Sequence, residues 1–135
     1  MIAPDTSVAV AAALPWHEAH DDARAALAGT RLPLLAQVGV ETYSVLTRLP
    51  PPHRVPTSVA WSYLRETFML PPLVLTAEGY ARLLELASQQ HIAGGAVYDA
   101  LVAATAHEAA ATLLTLDRRA VTTYQQVGVD YRVVG

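Results

Sequence analysis

Five short apolar runs, each of strand length, recur along the chain with room for one or two helices between them: Met1 to Ala3, Leu32 to Ala36, Leu73 to Leu75, Thr112 to Leu116 and Val129 to Val134. The intervening segments carry helix signals. Asp5-Thr6-Ser7 is a capping cluster ahead of Val8 to Leu14, which Pro15 stops. Trp16 to Ala28 has its acids early, Arg24 late and Gly29 at its end, as a helix dipole and a glycine cap prefer. Further helices are expected over Gln37 to Leu49, from Pro56 through Phe68, and over Thr76 to Gln90, Ala96 to Ala110 and Asp117 to Val127. Strands that alternate with helices pair in parallel through right-handed crossovers, and a parallel sheet is covered on both faces. The expected architecture is therefore α/β, a three-layer α/β/α arrangement with a short central parallel sheet flanked by helices.

One domain over residues 1–135 suffices, since a chain of this length buries about two-thirds of its unfolded surface. The triple proline at positions 50 to 52 reads as a turn between two helices, because the flanking composition does not change.

Two absences narrow the chemistry. No cysteine occurs, which removes thiol nucleophiles, disulfides and thiolate metal sites. All nine basic residues are arginine, so a phosphate-loop lysine or a Schiff-base lysine is impossible. A net charge of −3 argues against a broad cationic face that wraps duplex nucleic acid. The apolar start holds Asp5 and lacks a basic leader, and no stretch of about 18 residues is uninterruptedly apolar, so the expectation is a cytoplasmic protein.

In an open parallel sheet, reactive groups gather outside the carboxyl ends of the strands. Asp5 follows the first strand, Glu41 lies near the start of the helix after the second, Asp99 lies in the first turns of the helix that feeds the fourth strand, and Asp117 follows that strand. Each sits among apolar neighbours, where a lone carboxylate is costly. Together they call for a cation, and hard oxygen donors suit Mg²⁺ or Mn²⁺. Taken singly, Asp5 and Asp117 also suit helix caps, and Glu41 and Asp99 suit favourable helix N-terminal charges. The remaining acids read as solvated. His17-Glu18-Ala19-His20 is not a zinc-protease motif, because its histidines are three apart rather than four.

Four stretches in order, Ile2-Ala3-Pro4-Asp5-Thr6-Ser7-Val8, Glu41 with Ser44 and Leu46-Thr47-Arg48-Leu49, Tyr98-Asp99-Ala100-Leu101 through Ala106, and Leu114-Thr115-Leu116-Asp117 with Tyr124 and Gly128-Val129, resemble the PIN-domain ribonucleases, in particular the VapC toxins of toxin–antitoxin pairs. The resemblance implies that Asp5, Glu41, Asp99 and Asp117 are both the catalytic and the metal-binding residues, holding Mg²⁺ or Mn²⁺. It implies that Ser7 and Thr115 orient those carboxylates. The implied reaction is hydrolysis of RNA phosphodiester bonds by metal-activated water, with Arg48, Arg118 and Arg119 as candidate phosphate contacts and Arg54 beside them. A PIN fold kept only to dock a protein partner is the alternative. Pro4 departs from the family pattern, and a proline there is expected to end the first strand's ladder early.

Trp61, Leu64 and Phe68 recur at helical spacing and, with Val45 and Leu49, are candidates for a groove between two helices, core packing being the other use for them. By the same resemblance, a VapB-like antitoxin lays a helix there and the protein is a homodimer.

Overall fold

The computed structural model describes all residues, 1–135. Its elements run β1 (Ile2–Pro4), α1 (Thr6–Ala13), α2 (His20–Ala26), β2 (Leu32–Leu35), α3 (Ala36–Thr47), α4 (Thr57–Thr67), β3 (Phe68–Leu73), α5 (Ala77–Gln89), α6 (Ala96–Glu108), β4 (Thr112–Thr115), α7 (Val121–Val127) and β5 (Tyr131–Val133). All paired strands are parallel, and alternation along them makes the three layers. In β4, Leu114 packs toward Val8, Ala11, Ala12 and Ala23 of α1 and α2. Its neighbour Leu113 faces the opposite way, onto Val102, Ala103 and Ala106 of α6.

The strands form two hydrogen-bonded ladders, β1-β4-β5 and β2-β3, rather than one continuous sheet. Pro4 stands at the seam, and it does not act as the sequence suggests. The β1 ladder does not stop at Pro4: it pairs with Leu114, and the Asp5 amide donates to the Leu114 carbonyl at 2.8 Å. Successive amides of a strand point to opposite edges, so the nitrogen without a hydrogen lies on the edge turned toward β2. There β1 and β2 run side by side without a backbone bond between them.

The third strand is not Leu73 to Leu75. It begins at Phe68, which leaves the helix to become fully buried in the main core, and it ends at Leu73. Pro71 and Pro72 are tolerated inside it because β3 is an edge strand bonded only to β2. Two helices are shorter than expected. Residues 16–19 form turns ahead of α2, and the chain from Asp117 to Ala120 turns before α7 begins at Val121. No helix is long and apolar enough to cross a membrane.

Candidate active site

Parallel strands put their carboxyl ends at one edge, and all four expected acids are found there. Asp5 stands at the join of β1 and α1, where its side chain is only 4% exposed. It caps α1, because Oδ1 accepts the Val8 amide at 3.2 Å. The same oxygen accepts the Ser7 hydroxyl at 2.5 Å, and Ser7 in turn accepts the Leu116 amide at 2.8 Å. Oδ2 accepts the hydroxyl of Tyr124 at 2.8 Å. Burial lifts the Asp5 carboxyl above the usual range, against the pull of hydrogen bonds from Ser7, Thr115, Tyr124 and Val8. Burial first, then the nearby Asp5 charge, holds the Tyr124 phenol well above its ordinary value, so it stays a donor.

The fully buried Thr115 sits at the end of β4, with its oxygen accepting the Asp117 amide at 2.9 Å. Ser7 and Thr115 thus link the turn after β4 to the carboxylate after β1. Asp117 does not cap α7; its Oδ1 accepts the Arg119 amide at 3.0 Å, closing a turn, and no side chain caps that helix.

Asp99 lies in the first turn of α6, half-buried. Its carboxyl is pushed up to about 6, first by burial and then by the negative charges of Asp117, Glu41 and Asp5, with Arg119 opposing. The other three acids therefore stand close enough to act on it. Glu41 arrives from the other ladder, in the second turn of α3 rather than the first, since that helix begins at Ala36. Both its oxygens are held: Thr6 donates to Oε2 at 2.7 Å and Gln37 to Oε1 at 2.7 Å.

Tyr124, Thr6 and Gln37 are the residues that sequence reasoning missed as parts of the site. A signal existed for Gln37, four residues before Glu41 on one helix face. Tyr124 stands in a stretch that carries the family resemblance, and a tyrosine that becomes buried seeks a partner for its hydroxyl.

The arginines divide. Arg119 lies over the rim, its Nε 3.6 Å from Asp117 Oδ1, with its side chain 96% exposed. Arg118 is exposed beside it. Arg48 shares a shallow depression with Glu41 and Ser44, and donates to the Ser44 hydroxyl at 2.6 Å. Elsewhere, an apolar groove of about 520 Å³ lies between α3, α4 and β3. Trp61 and Leu64 line it as expected, but its other wall is Gly39, Val40 and Tyr43 instead of Val45 and Leu49. Leu49 packs against the small cluster around Leu14, Leu46 and Ala60, and Phe68 belongs to the core. Glu108 is exposed, as expected, and there accepts the amide and hydroxyl of Thr76 at the start of α5.

A PIN domain family model matches residues 2–125. Ribonuclease VapC40 of Mycobacterium tuberculosis is 48% identical over 134 residues, covering 99% of each chain. Ribonuclease VapC27 of the same species is 43% identical over 128 residues, 95% of this chain and 93% of that one. Among solved structures, FitAcB from Neisseria gonorrhoeae superposes with a TM-score of 0.67 at 19% identity, over 97% of this chain and 96% of that one. FitAB bound to an IR36 DNA fragment gives 0.68 at 18% identity, over 98% and 94%. These structures share the fold.

Proposed function

The chain belongs to the PIN-domain family and, within it, to the VapC ribonucleases, and from that premise we propose that residues 1–135 act as one domain, a Mg²⁺- or Mn²⁺-dependent endoribonuclease. The observation that carries this is the gathering of four carboxylates around the first turn of α6, where Asp99 is lifted by burial first and then by Asp117, Glu41 and Asp5, a repulsion that a cation among them would relieve.

The donor set suits a hard divalent ion: carboxylate oxygens with hydroxyls beside them, in a chain without cysteine. Asp5, Glu41, Asp99 and Asp117 would hold it. No three of the chain's acidic or histidine side chains are grouped to hold an ion as they stand. When bound, the ion lowers the pKa of an attacking water and offsets charge on the leaving oxygen.

The chain's own residues do the rest. Ser7 and Tyr124 fix Asp5, Thr6 and Gln37 fix Glu41, and Thr115 fixes the backbone that presents Asp117. Arg48, beside Glu41, and the exposed Arg118 and Arg119, which follow Asp117, are the proposed phosphate contacts, a role that guanidinium groups suit. Incubation with RNA in Mn²⁺ should give 5′-phosphate and 3′-hydroxyl ends, and EDTA should abolish cutting. Cyclic 2′,3′-phosphate ends, or cutting undiminished in EDTA, overturns the metal-activated mechanism. A protein that cuts nothing and only binds a partner is the docking module instead.

We further infer a toxin role in the cytoplasm, with a VapB-like antitoxin as partner and a homodimer as the working form. The exposed groove at Trp61, Val40 and Tyr43 supports a protein partner, since apolar surface of that extent is costly in water. Co-expression with the adjacent small open reading frame should rescue growth and yield a complex; a stable monomer with no rescue refutes both partners.

A further inference from the structure

The helices that carry the acids also lead away from them. α1 and α3 leave the rim side by side: Thr6 bonds Glu41 at one end, and Leu14, just past α1, packs on Leu46 of α3 at the other. Two residues beyond Leu14, the indole of Trp16 lies 52% exposed, outside the hydrophobic clusters. Its ring centroid is 4.4 Å from that of His53, at an interplanar angle of 38°.

His53 belongs to the turn after the triple proline. That turn is fixed by the His53 amide on the Pro50 carbonyl and the Val55 amide on the Leu46 carbonyl, both at 3.0 Å. Arg54 next to it spends Nε on the Leu49 carbonyl at 2.9 Å, which leaves the outer nitrogens of an exposed guanidinium available. Arg48, in sequence between Glu41 and His53, folds back one turn toward Ser44, in the depression it shares with Glu41. The surface on this side thus carries Arg48 beside Glu41, and farther along the chain Arg54 next to the tilted Trp16–His53 pair.

We propose that the Trp16–His53 pair is a base-stacking subsite for single-stranded RNA, with Arg48 and Arg54 tracking the phosphates that join it to the acidic rim. This rests on the ribonuclease reading and adds where the substrate lies. An exposed aromatic face beside guanidinium groups is the chemistry that single-stranded nucleic acid uses, because every base has a face to stack and each linkage carries one charge. The chain's net charge is −3, so a polyanion finds no general attraction and depends on these local cations. The eight residues of α1 span about 12 Å, roughly three or four stacked nucleotides. Stacking is tolerant of base identity, so the subsite sets the length of RNA that is held more than its sequence.

The test uses an unstructured RNA ten-mer and a trinucleotide, with binding read in EDTA and cleavage in Mn²⁺. In wild type the ten-mer should quench tryptophan emission. Trp16→Ala should lose much of that quench, weaken ten-mer binding roughly tenfold and raise its KM with kcat held, while cleavage of the trinucleotide is unchanged. Trp16→Phe should restore most of the binding, and His53→Ala should weaken it in the same direction. Unchanged melting temperatures separate these effects from unfolding. If wild type cuts the ten-mer yet Trp16→Ala alters neither KM nor quench, the subsite is overturned and the ribonuclease reading stands. If Trp16→Ala instead releases a protein partner with RNA binding intact, the face is a protein contact and the subsite is likewise overturned. No cutting by wild type overturns the reading on which it rests.

Discussion

The Tyr124 hydroxyl donates to Asp5 Oδ2 at 2.8 Å, joining α7 to the end of β1 between residues 119 positions apart. With Ser7 and Val8 on Oδ1, it makes Asp5 a fixed carboxylate before any ligand arrives.

Tyr124→Phe removes a buried donor to a charged acceptor, so stability should fall by about 1–3 kcal/mol at pH 8. The bond favours the ionised carboxyl, so the loss should shrink as pH falls far enough to protonate Asp5. Urea unfolding at pH 8 and pH 4 checks this; equal losses at both mean the tyrosine serves packing alone.

Asp99 has a carboxyl lifted from 3.8 to about 6 by burial and then by Asp117, Glu41 and Asp5. A carboxyl raised on folding favours the native state when protonated. The contribution of Asp99 to metal-free stability should therefore be fullest below about pH 4 and be lost as pH climbs through 6. Asp99→Asn should flatten that decline and gain about 0.5–2 kcal/mol in EDTA at pH 8, with cleavage nearly lost. Mn²⁺ should stabilise wild type more than the variant, increasingly so at higher pH. Thermal melts in EDTA and Mn²⁺ at pH 4, pH 6 and pH 8 read both effects, and a variant that melts lower in EDTA at pH 6 and pH 8 makes Asp99 a structural group.

Thr6 holds Glu41 Oε2 at 2.7 Å, and valine keeps its shape without the donor. Thr6→Val should lower Mn²⁺ affinity by about ten- to a hundredfold, by calorimetric titration, with the melting temperature little changed. Affinity equal to wild type means that Glu41 needs no orienting partner.

Gly79 and Gly95 separate space from chain freedom. A Cβ at Gly79 meets Leu75 Cδ1 at 2.6 Å and Glu108 Oε1 at 2.9 Å, whereas at Gly95 nothing lies within 4 Å. Gly79→Ala should cost about 1–3 kcal/mol. Gly95→Ala, in right-handed helical backbone, should be neutral or gain about 0.4–1 kcal/mol. Denaturant midpoints of the two variants settle the pair, and a stable Gly79→Ala means the α5–α6 contact yields freely.

What the sequence disclosed was tied to local pattern. Asp5, Asp99 and Asp117 could be placed because each adjoins an element whose period or cap is readable within a few residues. The strand at Phe68 could not, because its prolines count against a strand unless one knows that it lies at an edge. Tyr124 was equally hidden. Nothing within Val121 to Val127 tells that its hydroxyl reaches the far terminus, since that depends on how α7 lies against β1. The groove was half visible: the Trp61 and Leu64 spacing marks one wall, while Gly39, Val40 and Tyr43 become the other only once β3 closes the end.

The missing hydrogen on Pro4 has a mechanical side. Asp5 and Asp117 stand on one ladder, whereas Glu41 rides on the helix that follows the other, and the two ladders meet without a backbone bond. Sliding one against the other breaks no strand pairing, so Glu41 can approach the remaining acids at the expense of side-chain contacts alone. A sheet bonded throughout would resist that motion with every rung along the join. The join beside Pro4, between the ladder that carries Asp5 and Asp117 and the one that leads to Glu41, is thus held by side chains rather than rungs.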